Sequence, residues 1–417
     1  MKTVNDYPGQ TDNERIDAAI REREGGIVVI PERKSAIDPE RTWWLLDRAI
    51  LLPSNTTVIL ENCRIKLSDK CRDNFFRSAN CGFGIEEPEP VEHIHIKGVG
   101  NCILEGADHP RATGDSSKVL ACPCPKNYSG ASNPTFEDLH RHSYGTDALA
   151  ECESPNGDWR NIGILMARAS HVSIENLCII EPHAWAISFE DCSDGRVSHI
   201  EFKACMTRVI DGEKHNTENQ DGINLRNGCH DFIISDITGT TGDDVIALSA
   251  FAPQFTRRKG GEYGSTHVLG NDWTKREKGI RNVIIRNVLA YPAGGCLMIR
   301  LNATDGAEIR HVVIDGIIDN SPDDYCFKNS RCSLQLGGSP GLLGDPNHPY
   351  GYQQEQSLFD ISVSNVISNA TNAIAINGGL QNSRIGNVIT RNPCGQSVFI
   401  LHPELLGCVV QTGVRCP

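Results

Sequence analysis

Two short fragments, "NQDGINL" at 219–225 and "GDDVIAL" at 242–248, place three carboxylates, Asp221, Asp243 and Asp244, beside glycines and ahead of apolar runs. Asp221 and Asp243 lie 22 residues apart. Aspartate and glycine are common turn residues, so one reading is two turns and nothing more. The other reading is chemical. Carboxylates held close together raise one another's pKa, so one keeps a proton at neutral pH while another is ionised. A proton donor beside a group that activates water is the equipment for breaking a glycosidic bond. The choice depends on whether the fold brings the two turns together.

From about residue 90 onward one phrase recurs: "HIHIKGVG" (93–100), "HVSIENLCI" (171–179), "RVSHIEF" (196–202), "DFIISDITG" (231–239), "NVIIRNVLA" (282–290), "HVVIDGIID" (311–319), "DISVSNVIS" (360–368) and "NSRIGNVIT" (382–390). Most copies alternate apolar and polar residues, the period of a half-buried strand, then set Asn, Asp or Gly before another aliphatic. A turn residue at a fixed offset implies a sharp bend made on every coil. Repeats of about 22 to 35 residues with little helical periodicity point to a solenoid of stacked strands, a parallel β-helix. Equivalent positions on successive coils then lie about 4.8 Å apart. On a coil of about 22 residues Asp221 and Asp243 occupy equivalent positions, and a bulge or turn at Gly242 lets Asp244 reach the same side.

The open N-terminal end of such a solenoid needs a cover. Thr11 with Glu14 three residues later is a capping box, followed by Ile16, Ala19 and Ile20 on one face of a short helix. "GGIVVIP" and "NTTVILENCRIKL" then begin the coils. The expected organisation is one β-helix domain over 1–417, with the cap and first coils in 1–90, catalytic rungs in 160–320 and C-terminal coils in 321–417. Segments 107–160, 251–281 and 321–358 interrupt the rhythm and are expected to wall a cleft.

Of the 417 residues 39% are hydrophobic, enough for a large core, and the net charge is −13. Neither nucleic acid nor an anionic membrane surface finds an attractive potential here. The start of the chain has no apolar leader segment and no run of 18 apolar residues occurs, so residence in the cytoplasm is the expectation. The 17 cysteines are scattered through apolar runs such as "ENLCII" and "GGCLMI", as expected of reduced, buried small hydrophobes. "CPCP" at 122–125 has no second pair at ligand spacing and no CxxC occurs, so no zinc site is expected.

The order of "NQD" (Asn219, Asp221), "GDD" (Gly242, Asp243, Asp244), His267 in "STHVLG" and Arg300 in "MIRLN" resembles glycoside hydrolase family 28, the polygalacturonases and their relatives. The resemblance covers 160–320 best and the loops hardly at all. It implies a right-handed parallel β-helix with no metal or cofactor, and Asp243 as general acid. It further implies that Asp221 and Asp244 hold the attacking water, that His267 tunes the acid or its neighbours, and that Arg300 binds the sugar near the scissile bond. Two departures stand out. The family's Gly-His-Gly reads "THV" here, and the lysine two residues beyond the arginine is Asn302. An amide suits a sugar hydroxyl and cannot neutralise a uronate carboxylate, although Asn also serves turns. His183 and Trp185 in "EPHAWAISF" lie one to two rungs before Asp221, where Trp185 could stack on a sugar or equally fill the core.

The expectation is therefore an inverting hydrolase, exo-acting on an imported pectin-like or related oligosaccharide, its partner being that saccharide. Two other readings remain open: a Ca²⁺-dependent polysaccharide lyase on the same fold, and a noncatalytic carbohydrate-binding β-helix.

Overall fold

The computed structural model of the protein describes residues 2–82, 85, 87–110, 113–114, 159–217, 219–250, 256–257, 263–264, 268–269, 277–303, 306–327, 331–338 and 357–413. The three interrupting segments fall largely outside them, as do Cys122, Cys124 and His267. The fold class is all-β, a right-handed parallel β-helix, with one α-helix among the described residues. The chain divides into two compact units, the first formed by Met1–Ser188, Lys203–Gln220 and Phe255–Gly270, the second by Phe189–Phe202, Asp221–Gln254 and Asn271–Pro417.

In the first unit the helix Asp12–Glu22 starts at the expected box: Glu14 N–H donates to Thr11 Oγ1 (3.2 Å) and Thr11 N–H to Glu14 Oε2 (3.3 Å). Its inner face buries Ile16, Ala19 and Ile20. The coils begin where expected, with Ile27–Pro31 paired in parallel to Thr56–Glu61, which pairs Val91–Val99, which pairs Ala169–Ile180. Two more parallel ladders complete each coil. One runs Trp44–Leu46, Arg64–Leu67, Ile103–Glu105; the other Ile50–Leu52, Phe76–Ser78, Ile164–Ala167.

In the second unit one ladder stacks His230–Thr241, Ile280–Pro292, Ile309–Asp319, Leu358–Ser368 and Arg384–Thr390. The other stacks Ile223–Arg226, Ile246–Ala250, Ile299–Ala303, Cys332–Leu336, Asn372–Ile376 and Gln396–Ile400. Aliphatics in register line the interior. Ile234, Ile285, Ile314, Val363 and Ile385 form one column, and Leu225, Leu248, Leu301, Leu336 and Ile376 another, all buried. Each contributes about 1.5 to 3 kcal/mol of burial.

The recurring turn residue does what its type implies. Asp236, Asn287, Asn365 and Asn387 all have φ between 51° and 59°, and Gly316 replaces them in its rung at φ 71°. The first residue of the last five phrases bends the same way: Asp231, Asn282, His311, Asp360 and Asn382 have φ between 46° and 59°. Asx residues tolerate this left-handed region because their short polar side chains bond locally. Here they bond along the stack, Asn282 Nδ2 to Asp231 Oδ1 at 2.7 Å and Asn287 Nδ2 to Asp236 Oδ1 at 3.0 Å. Imidazole fits the same place, with His311 Nδ1 3.0 Å from Asn282 Oδ1.

Candidate active site

Asp221, Asp244 and Arg300 are presented by three successive rungs of the second unit, and their order follows from strand register. Ile223 pairs Ile246, and Ile246 pairs Ile299. Since 23 residues separate Ile223 from Ile246, Asp221 lies level with Asp244 and not with Asp243. The backbone agrees, with Gly222 N–H donating to Asp244 O at 2.8 Å and Ile223 N–H to Val245 O at 3.0 Å. The expected pairing of Asp221 with Asp243 is thereby corrected by one residue. The cause is the interior: Ile223 and Leu225 must stack on Ile246 and Leu248, and a slip of one residue would turn each strand inside out.

Gly222 permits this approach. A Cβ there would stand 2.4 Å from Val245 O and 2.8 Å from the Phe202 ring. Asp243 and Asp244 both sit in the turn that precedes Ile246–Ala250, outside the strand's alternation, so the expectation that both reach one side holds. One oxygen of each and the Cys296 Sγ lie within 4.8 Å of one another.

The two neighbours differ in surroundings. Asp243 is half-buried and accepts from Asp244 N–H at 2.9 Å. Asp244 is 3% exposed, accepts from Leu297 N–H at 2.8 Å through Oδ1, and meets Arg300 Nη1 at 3.5 Å through Oδ2. Burial, and then the charge of Asp243, push its pKa up to about 7, against the pull of Arg300. Asp244 therefore keeps its proton to near neutrality. Burial opposes the charge of Arg300, and the carboxylates of Asp244, Asp243 and Asp221 outweigh it, leaving the guanidinium more firmly protonated. Its Nε is buried with no hydrogen-bond partner among the described residues.

Sequence reasoning missed two neighbours. Asn224 donates from Nδ2 to Asp221 Oδ2 at 3.1 Å, and it shares the outward row of Ala247, Arg300 and Gln335. Its signal was present: it is the polar residue between Ile223 and Leu225. Cys296, expected as an inert core residue in "GGCLMI", instead sits beside the acids. Burial, Asp243 and Asp244 raise its pKa, with a hydrogen bond to Asp243 adding to the effect.

Other candidates lie elsewhere. Asn302 is on the same outward face as Arg300 but fully buried, and neither amide atom has a hydrogen-bond partner among the described residues. In the first unit, Asn219 turns the chain at φ 56° and is half-buried. His183 is buried there, accepting at Nε2 from Ala107 N–H at 2.9 Å, and burial followed by Arg208 pushes its pKa down to about 3. Trp185 packs with Trp159, Ile162 and Leu165, so of its two readings the core one describes its place.

No protein-family model and no curated protein sequence matches the chain. Among solved structures it is similar to a tailspike protein variant of the E. coli bacteriophage HK620 in complex with a pentasaccharide, at 13% identity and a TM-score of 0.53. That match covers 97% of this chain and 63% of the tailspike chain, just under two thirds of its length. It is also similar to an exopolygalacturonase from Thermotoga maritima, at 14% identity and a TM-score of 0.49, covering 100% of this chain and 92% of that one. A polygalacturonase from Erwinia carotovora matches at 13% identity and a TM-score of 0.45, covering 98% and 93%. At 13% identity the likeness to the tailspike protein is one of fold.

Proposed function

We propose that the protein is a glycoside hydrolase in which Asp243 is the general acid and Asp221 and Asp244, level on neighbouring rungs, hold the attacking water. The observation that carries this reading is the carboxyl pair Asp243 and Asp244, with oxygens within 4.8 Å of one another, Asp244 being level with Asp221 and beside the Arg300 guanidinium. A proton donor and an ionised partner within one site are what glycosidic cleavage requires. Asp243, the more exposed of the pair, is the acid that reaches the leaving oxygen, in line with its place in the resemblance. Arg300, whose side chain is about a quarter exposed, offers its guanidinium to a sugar oxygen.

The substrate proposed is a pectin-like or related oligosaccharide, attacked from one end with inversion by a cytoplasmic enzyme. Arg300 is already engaged with Asp244, and the next outward position, Asn302, is neutral and enclosed, so a neutral or mixed saccharide suits the site better than unbroken polygalacturonan. The test is a panel of plant-derived oligosaccharides with polygalacturonic acid beside them, and proton NMR of the first product before mutarotation. Retention of configuration would refute the inverting mechanism, and no sugar release from any glycan would refute the hydrolase. Efficient cleavage of polygalacturonic acid would overturn the substrate class alone.

The lyase alternative would need the acidic group to bind Ca²⁺, which takes six to eight oxygen ligands. Among the described residues, the third potential ligand grouped with Asp243 and Asp244 is a thiol. Activity that survives chelation, with no unsaturated product absorbing in the near ultraviolet, is the expected outcome.

A further inference from the structure

Cys63 and Cys102 in the first unit stand immediately before two paired strands, Arg64–Leu67 and Ile103–Glu105, in which Arg64 lies opposite Ile103. Ile103 N–H donates to Cys63 O at 2.9 Å. The two cysteines are therefore level on successive rungs, with Cα atoms about 4.8 Å apart, inside the window of about 4.4 to 6.8 Å that a disulfide spans. Their turns are tied as well: Asn62 N–H donates to Val99 O at 2.9 Å and Asn101 N–H to Asn62 Oδ1 at 3.2 Å. The two thiols hydrogen bond to each other, and Cys102 Sγ lies 3.0 Å from Leu60 O.

We propose that Cys63 and Cys102 are an oxidisable pair, closing a disulfide between successive rungs when a small-molecule disulfide is present. The site is independent of the hydrolase reading. The pair is asymmetric. The hydrogen bond with Cys102, and then burial, push the Cys63 thiol up, whereas the same hydrogen bond lowers Cys102 to about 6 against its own burial. Cys102 is the attacking thiolate, because the deprotonated sulfur is the nucleophile. Cys102 is itself buried, at 3% exposure, directly beneath a surface turn in which Val99 is 44% exposed and Gly100 and Asn101 are exposed too.

With oxidised glutathione the Cys102 thiolate attacks one sulfur, forming a mixed disulfide and releasing one glutathione thiolate. Cys63 then gives up its proton and attacks the Cys102 sulfur, forming the Cys63–Cys102 bond and releasing the second glutathione. Both protein sulfurs are oxidised and one glutathione disulfide is reduced to two thiols, which take up the proton given up by Cys63 and the one that Cys102 lost to solvent in forming its thiolate. The bond would close a loop of about 40 residues and raise Tm by on the order of 4 °C.

The experiment incubates the folded full-length protein with oxidised glutathione, quenches with N-ethylmaleimide before unfolding, and digests under non-reducing conditions for mass spectrometry. A cross-linked peptide joining Cys63 to Cys102, lost on reduction, supports the pair. So does Cys63→Ser, if Cys102 is then found as a stable glutathione adduct. Overturning results are a wild-type protein in which both cysteines carry maleimide, in which Cys102 carries glutathione while Cys63 carries maleimide, or in which either is joined to another cysteine.

Discussion

The second unit uses aspartate in two ways. Asp231, Asp236 and Asp360 turn the coil at φ between 56° and 59°, and hydrogen bonds hold two of them low: His230 and then Asn282 for Asp231, Asn287 and then Ser235 for Asp236. Asp221 and Asp244 are buried, and Asp244 is pushed the other way, up to about 7. A residue type does not decide whether a carboxyl stays charged. Exposed Asp beside amide donors is stabilised as the anion, whereas Asp beneath a rung and beside a second carboxylate is stabilised as the acid.

The largest expected contrast is between Asp243→Asn and Asp231→Asn. The first should lower kcat by about a thousandfold or more with unchanged circular dichroism, since it removes a proton needed only in the transition state. The second should leave kcat within about twofold. If Asp243→Asn keeps more than about a tenth of wild-type kcat, the two sets of aspartates are not chemically distinct.

Next come Asp221→Asn and Asp244→Asn. Each should be severe, but the double variant should be far less damaging than the product of the two, because level residues serve one water. Multiplicative losses in steady-state rates would separate them into independent roles.

Asp244 also links stability to pH. In the folded chain it holds its proton to about pH 7, and an unperturbed aspartate releases it near 3.8. The folded state then binds more protons between about 4 and 7, so this group's contribution to stability falls as pH rises through that window. Asp244→Asn should flatten the stability profile over the same range, measured by urea unfolding at a series of pH values; the exposed Asp231→Asn should not.

Gly222→Ala should act on register itself. Its methyl group meets Val245 O and the Phe202 ring, so overpacking should cost about 1 to 3 kcal/mol and lower kcat by separating Asp221 from Asp244. Wild-type stability and rate would show that the close approach of these rungs is not needed. The smallest effect is the stability of Asp231→Asn itself, expected within about 0.5 kcal/mol because Asn adopts the same φ and keeps a stack partner.

Much of the fold could be read from local patterns because its determinants are local. Alternation in "NVIIRNVLA" and "DISVSNVIS" specifies strands, Asn287 and Asn365 specify bends because few residues tolerate positive φ, and Thr11 with Glu14 starts the helix through bonds three residues apart. By itself the sequence determined these, the coil they build, and the identity of the three acidic candidates. Only the tertiary structure decided which aspartates share a level, since a count from Asp221 to Asp243 ignores the packing of Leu225 on Leu248 that sets the register. It alone placed Cys296 beside the acids and enclosed Asn302 and His183. The proton on Asp244 belongs to the same class, because a pKa depends on the solvent removed and the charges brought near, and both come from residues tens of positions away in the chain.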